Sequence, residues 1–307
     1  MINGMTATRR GLLTAFLACG SLGLFGQSVQ KPKPPVFRVG VETVFVKVSV
    51  NDPLNRYVTG LEKEHFRVYE DKVEQSIIHF SQEAAPVTVG IIFDVSGSMK
   101  TNNNIQKARN AIIRFLEQGS PEDEYFLVTF NERTTLVQNF TRHSATVRNE
   151  VAFKQAGGRT AMYDAVYLGL DQIKGATNEK KALILITDGE DNSSRYSIAE
   201  VREFAKESDT QIYAIGEQGE LGYGRSLIQN ITGLTGGRSF FPNSFNELDY
   251  YIDLIHAELR HQYVLGYNPT NTAHDGKWRK IQVKLDPPAG LPKLIVRAKE
   301  GYFAAKN

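Results

Sequence analysis

The stretch IIFDVSGSM, residues 91–99, joins the end of an apolar run to three closely spaced polar side chains. The run begins at residue 87 as VTVGIIF and lacks strict polar alternation, which is typical of a strand buried on both faces of a parallel sheet. Asp94 follows this strand directly, and Ser96 and Ser98 add hydroxyls two and four residues later. Because ligands of open α/β sheets bind at the carboxyl ends of strands, the stretch predicts a binding site.

Similar apolar runs alternate with amphipathic helical segments throughout the middle of the chain. The further runs are EYFLVTF, KALILIT and TQIYAIG, which end at residues 130, 187 and 216. Helical patterns cover 104–118, 160–173, 198–207 and 244–259. This alternation predicts an α/β domain at 85–260 with a doubly wound, mainly parallel sheet that is covered by helices on both faces.

Both flanks of this region show the two-residue periodicity of half-buried strands. On the N-terminal side the pattern covers 41–50, with short strands near 65–70 and 75–80; on the C-terminal side it covers 262–267, 277–285 and 293–298. Neither flank has enough strands to be stable alone in water. We therefore expect residues 39–84 and 261–303 to pair into one discontinuous β-sandwich.

The N-terminus has the layout of a signal peptide. Arg9 and Arg10 precede an uncharged apolar run at 12–25, which is shorter than the roughly 20 residues of a membrane span. We expect a signal peptide at 1–26, a Pro-rich linker at 27–38, and export to the periplasm, outer envelope or extracellular space. The route (Sec, Tat or lipoprotein), an uncleaved anchor and association with the envelope stay open.

Charge and cysteine content restrict the class of partner. The chain has 36 basic and 34 acidic residues, and residues 1–26 carry two arginines and no acidic residue, so the mature chain would be neutral. Such a balance gives no basic field for nucleic acid. The single cysteine, Cys19, lies in the predicted signal peptide, so we expect no disulfide in the exported protein.

Two further polar positions complete a set of oxygen donors. Thr160 follows a Gly157-Gly158 pair at the predicted start of a helix, and Asp188 follows the apolar run that ends at residue 187. Three loop or strand ends would thus direct oxygen atoms towards one edge of the sheet. Hydroxyl and carboxylate oxygens suit a hard divalent cation, so we predict Mg²⁺, with Mn²⁺ or Ca²⁺ as alternatives.

These residues resemble the metal-ion-dependent adhesion site of the von Willebrand factor A (VWA) family, which follows Asp-x-Ser-x-Ser, then Thr, then Asp. All five positions match, over about residues 87–259, and the resemblance implies a Rossmann-like domain at 85–260. It also implies that Ser96 and Ser98 coordinate the cation directly and that Thr160 does so directly or through water. Asp94 and Asp188 would hold coordinated waters, and an Asp or Glu of a partner protein would complete the shell.

The flanks resemble those of exported bacterial VWA-related proteins, in the segments 60–71 and 262–267. The leading hypothesis is accordingly a non-enzymatic adhesion or recognition module. The alternatives are an assembly factor or scaffold for an envelope or ATPase-linked complex, and a metal-dependent hydrolase.

Other motifs give no support to an enzyme or a small-molecule cofactor. The glycines at 222 and 224 lack the third glycine of a dinucleotide loop, Ser96 is not in a nucleophile elbow, and no phosphate-binding loop is present in the sequence. We predict no catalytic residue. The polar residues after Asp188 (Glu190, Asp191, Asn192 and Arg195) could form a rim that selects the partner or a simple solvated loop.

Overall fold

The computed structural model describes residues 42–82, 84–217 and 224–306. The predicted signal peptide at 1–26 and the Pro-rich linker at 27–38 lie outside these residues. Among the described helices, none combines the length and apolarity that a membrane span requires.

The described residues form fourteen strands and six α-helices, besides short 3₁₀ turns. The strands are β1 Val44–Asn51, β2 Phe66–Glu70, β3 Val73–Gln75, β4 Ile77–Ser81, β5 Val87–Asp94, β6 Glu124–Phe130, β7 Thr134–Thr141, β8 Lys180–Thr187, β9 Gln211–Gly216, β10 Ser239–Phe240, β11 Tyr263–Tyr267, β12 Trp278–Leu285, β13 Ile295–Ala298 and β14 Gly301–Phe303. The helices are α1 Asn104–Glu117, α2 Ser144–Ala152, α3 Met162–Gln172, α4 Ile198–Glu207, α5 Gly224–Leu234 and α6 Leu248–Arg260.

A six-stranded sheet in the order β10-β9-β8-β5-β6-β7 forms the centre of the α/β domain. All neighbouring strands are parallel except β7, which runs antiparallel to β6. Every residue of β5 is buried, because alternate side chains enter the two cores on opposite faces: Ile91 and Phe93 pack with α1, α2 and α6, while Ile92 packs with α3, α4 and α5. The predicted doubly wound, mainly parallel fold is confirmed.

β7 and α2, which lie at the edge of this sheet, were not predicted from the sequence. No residue of β7 is fully buried, and its pairing with β6 contains register shifts. In α2 only Val147 and Val151 are buried. Elements with so little buried surface lack the hydrophobic periodicity by which strands and helices are recognised.

Strands from both flanks combine in two four-stranded sheets, β13-β1-β11-β4 and β14-β12-β2-β3. Both sheets contribute to one apolar core, in which the rings of Phe66 and Tyr263 lie 4.9 Å apart. The predicted sandwich of N- and C-terminal strands is therefore present, whereas the domain boundaries themselves stay a prediction. The single strand expected near 75–80 is wrong in detail: the chain changes sheet at Ser76, so β3 and β4 belong to different sheets.

A buried polar cluster connects α6 to the central sheet and to the sandwich. Glu258 in α6 is fully buried, and its carboxylate accepts a hydrogen bond of 3.2 Å from the Tyr213 hydroxyl in β9. Gln262, just before β11, donates to Gln211 at 2.8 Å and to Tyr213 at 3.2 Å. Burial raises the pKa of Glu258 above its ordinary value, although the charges of Arg297 and Arg238 act in the opposite direction.

Candidate metal centre

Asp94 ends β5 at the carboxyl edge of the central sheet, and its side chain is completely buried. Its Oδ1 accepts a hydrogen bond of 2.7 Å from the Ser96 backbone N–H, and its Oδ2 accepts one of 2.5 Å from the Thr187 hydroxyl at the end of β8. The carboxylate is thus fixed by the turn that follows its own strand and by the neighbouring strand.

The two serines of this turn connect Asp94 to Asp188. Ser96 Oγ lies 3.0 Å from Ser98 Oγ, and the Ser98 hydroxyl donates to Asp188 Oδ1 at 2.7 Å. Asp188 follows β8, which pairs directly with β5, so the two strand ends bring both carboxylates to one edge. Four of the five predicted residues therefore belong to one continuous group of oxygen atoms.

Thr160 reaches the same place on a loop that crosses this edge. A Cβ built on Gly189 would lie 3.1 Å from Ser98 Oγ and 3.6 Å from Thr160 Oγ1, so both hydroxyls lie beside this glycine. The loop is held to the serine turn by hydrogen bonds from Gly97 N to Gly158 O (2.9 Å) and from Gly157 N to Val95 O (2.8 Å). The sequence predicted a helix that begins at Thr160. In the structure Thr160 precedes α3, which begins at Met162.

The electrostatics of this group favour a bound cation. Burial is the largest effect on Asp94 and raises its pKa from 3.8 to about 7; hydrogen bonds from Thr187 and Ser96 lower it, and the negative charge of Asp188 raises it. Two carboxylates buried close together are costly unless a positive charge offsets them.

The donor set fits a hard divalent cation. It consists only of hydroxyl and carboxylate oxygens, which Mg²⁺, Mn²⁺ and Ca²⁺ prefer, and the described residues contain no metal-binding group of three His, Cys, Asp or Glu side chains. Asp94, Ser96, Thr160 and Asp188 are buried, whereas Ser98 is exposed. The group therefore has one face that is open to a ligand from outside.

Asn104 and Glu217 extend the site beyond what the sequence predicted. Asn104 is the first residue of α1 and is buried; its Nδ2 donates to Asp188 Oδ2 at 3.0 Å and to Glu217 Oε2, just after β9, at 2.7 Å. No local motif could have indicated this contact, because 84 residues separate Asn104 from Asp188. An asparagine at this position reads as an ordinary helix start.

The residues after Asp188 mostly make contacts within their own loop and with α3. Asp191 Oδ2 accepts hydrogen bonds from Ser194 Oγ (2.5 Å) and from Tyr163 N (3.2 Å). Arg195 forms an ion pair with the buried Asp164, with 3.0 Å between Nε and Oδ2. These contacts give Asp191 and Arg195 structural partners, while the Arg195 side chain is 85% exposed, so a partner-selecting rim and a simple solvated loop both stay open.

An α/β domain with hydroxyls and carboxylates gathered at the carboxyl edge of its sheet belongs to the class of doubly wound domains that bind ligands beyond their strand ends. The von Willebrand factor type A domain model matches residues 88–253, just over half of the chain. The protein belongs to this family.

Among curated proteins, the chain is similar to inter-alpha-trypsin inhibitor heavy chain H4. The human protein is 30% identical over 117 residues, which cover 34% of this chain and 12% of the relative. The bovine protein is 27% identical over 157 residues, which cover 47% of this chain and 16% of the relative. The aligned region therefore spans less than a fifth of either relative.

Solved structures show the same fold at low sequence identity. A von Willebrand factor type A protein from Catenulispora acidiphila has a TM-score of 0.53 and 14% identity, covering 88% of this chain and 75% of that chain. Proximal thread matrix protein 1 from the mussel byssus, with a zinc-occupied MIDAS motif (metal-ion-dependent adhesion site), has a TM-score of 0.52 and 20% identity. The match covers 62% of this chain and 49% of that chain.

Proposed function

We propose that this protein is a metal-dependent protein-binding module, in which a divalent cation captures an Asp or Glu carboxylate of a partner protein. The cation would be held by Asp94, Ser96, Ser98, Thr160 and Asp188. The observation that carries the proposal is the exposure of Ser98, whose hydroxyl lies 2.7 Å from the buried Asp188 carboxylate and so gives the oxygen group an open side.

The chemistry of the donors explains why the partner would supply a carboxylate. Ser96 and Ser98 would coordinate directly as neutral ligands, and Thr160 directly or through water. Asp94 and Asp188, which are both buried, would act mainly through coordinated waters. A cation with mostly neutral direct ligands remains electron-poor and attracts an anionic ligand from outside.

The comparisons support this function at the level of the family. Domains of the von Willebrand factor type A family typically mediate interactions between proteins. The mussel byssus protein carries zinc in its MIDAS motif, so a domain of this fold accommodates a divalent cation. We propose Mg²⁺ for this chain, with Mn²⁺ or Ca²⁺ as alternatives, no enzymatic activity, and a location outside the cytoplasm that follows from the predicted signal peptide.

A metal titration tests the first half of the proposal. Isothermal titration with Mg²⁺ and Mn²⁺ should show one site in the native protein and none in Asp94→Ala, while circular dichroism shows that the variant is folded. Asp171→Ala is the matched control, because Asp171 lies on α3 with 64% of its side chain exposed. Equal binding by Asp94→Ala would refute the assigned site.

Affinity capture from the exported fraction tests the second half. The native protein should retain a partner in Mg²⁺ and lose it in EDTA, and Asp94→Ala should not retain it in either buffer. Recovery of a single defined membrane or ATPase complex would favour a scaffold or assembly factor over an adhesion module. A partner held equally well in EDTA would contradict capture through the cation.

A further inference from the structure

The loop that carries Thr160 is held on both sides. On one side lie the contacts of Gly157 and Gly158 with the serine turn described above. Beneath it, Asn131, just after β6, donates from its Nδ2 to Gly157 O at 3.0 Å and accepts at its backbone oxygen from Ala161 N at 2.7 Å. On the other side the only described backbone partner of Thr160 itself is Asn192.

Asn192 binds both polar backbone groups of Thr160. The Thr160 N–H donates to Asn192 Oδ1 at 2.9 Å, and the Asn192 N–H donates to Thr160 O at 2.9 Å. Fixing the N–H and the C=O of one residue fixes the peptide planes on both sides of its Cα. The direction of the Cα–Cβ bond is then set, and the Thr160 hydroxyl retains only its χ1 rotation.

Asn192 is itself held in place by its neighbours. Asp191 is tied to Tyr163 N and Ser194, and the Arg159 side chain donates to the Asn192 backbone oxygen. Asn192 is nevertheless an exposed residue, whereas Thr160 is buried. A substitution of Asn192 by alanine therefore removes the side-chain contact to the Thr160 N–H and keeps the backbone contact to Thr160 O, without opening the core.

We propose that Asn192 is a positioning residue, which holds the Thr160 hydroxyl in the shell of the cation. This inference rests on the proposed function and adds a residue to it. Outer-shell partners of metal ligands commonly contribute 10- to 100-fold to metal affinity. Asn192 contributes through the backbone of Thr160, since its own amide oxygen is already occupied by the Thr160 N–H.

The test compares Asn192→Ala and Asn192→Asp, with Asn149→Ala as a control at an exposed asparagine of α2. Amide hydrogen exchange at Thr160 is measured without metal, and Mn²⁺ affinity and the water-proton relaxation enhancement of bound Mn²⁺ are measured with it. For Asn192→Ala we expect at least tenfold faster exchange at Thr160 and about 10- to 100-fold weaker Mn²⁺ binding. The relaxation enhancement should rise, because a water replaces the hydroxyl.

Asn192→Asp keeps an acceptor for the Thr160 N–H, so its exchange rate and relaxation enhancement should stay at the native values. A purely structural role would also give faster exchange at Thr160 in Asn192→Ala, but it would leave the affinity for Mn²⁺ and the relaxation enhancement unchanged. If Asn192→Ala binds Mn²⁺ with native affinity and enhancement, the positioning role is refuted while the proposed function stands. If the native protein binds no Mn²⁺, both are refuted.

Discussion

Replacing Asp94 by asparagine should stabilise the metal-free protein at alkaline pH while it abolishes cation binding. Burial raises the pKa of Asp94 from 3.8 to about 7, so the folded state holds this proton more tightly than the unfolded chain does. The stability of the native protein therefore falls as the pH rises from about 4 to about 7, and this loss persists above pH 7. At 1.36 kcal/mol per pKa unit the loss is about 4 kcal/mol.

Asparagine has nearly the same shape as aspartate and carries no charge. Its amide oxygen can accept the hydrogen bond from Ser96 N–H, and its amide nitrogen can donate to Thr187 Oγ1. The Thr187 hydroxyl can then turn towards Gly189 O, 3.4 Å away, so no group in this cluster loses its partner. The variant should therefore avoid most of the cost of burying a charge. Its free energy of unfolding should exceed that of the native protein by up to about 4 kcal/mol above pH 7 and by little below pH 4.

Urea unfolding from pH 4 to 8.5 measures this difference, first in EDTA and then in Mg²⁺. At a free Mg²⁺ concentration 100 times Kd, the native protein should gain about 2.7 kcal/mol and Asp94→Asn should gain nothing. Asp171→Asn, on the exposed surface of α3, should follow the native protein in both buffers. An Asp94→Asn variant that is less stable than the native protein in EDTA at pH 8 would refute the reasoning.

Three further predictions concern the cores and the buried polar groups. Tyr267→Phe should lower the free energy of unfolding by about 1.5–3 kcal/mol in urea denaturation, because it removes a buried hydroxyl that donates to Glu70 Oε2 at 2.8 Å. Tyr302→Phe removes the second hydrogen bond to this oxygen, so the double variant should lose more free energy of unfolding than the two single variants lose in sum. Gly90→Ala should cost at least about 1–3 kcal/mol, since its Cβ would lie 2.1 Å from a ring carbon of β6, and a native melting temperature would contradict this. Because burial raises the pKa of Glu258, the free energy of unfolding should fall as the pH rises above 4.5. Glu258→Gln should flatten this decline when unfolding is measured as a function of pH, and an unchanged dependence on pH would contradict the prediction.

The sequence predicted those parts of the fold that depend on strong local patterns. The continuous apolar run of β5 and the polar residues directly after it indicated both the parallel sheet and the edge at which Asp94, Ser96 and Ser98 lie. The alternating flanks indicated a sandwich, because strands that cannot be stable alone must pair with something. These inferences needed only the period of the hydrophobic residues and the chemistry of the side chains.

The contacts that complete the site could not be read in the same way. Asparagine is common in loops and at helix starts, so neither Asn104 nor Asn192 stands out in the sequence. Their roles arise only when segments distant along the chain meet. From the sequence, Asn192 could belong either to a partner-selecting rim or to a simple solvated loop, and neither interpretation includes the hydrogen bond from the Thr160 N–H to its side chain. Hydrogen-bond partners of this kind are set by tertiary structure and leave no periodic signal.

The pairing of β4 with β11 has a mechanical consequence. The chain leaves the sandwich at β4, which leads to the amino end of β5, and re-enters it at β11, which follows α6. β4 and β11 are hydrogen-bonded neighbours, with Ser81 opposite Val264. The candidate cation site is at the other end of β5, about 23 Å away, since seven steps of about 3.3 Å separate the first and last of its eight residues. A force applied to the cation through a partner would enter β5 and β8 together, and the part that β5 transmits towards the sandwich would load its hydrogen bonds to β6 in shear.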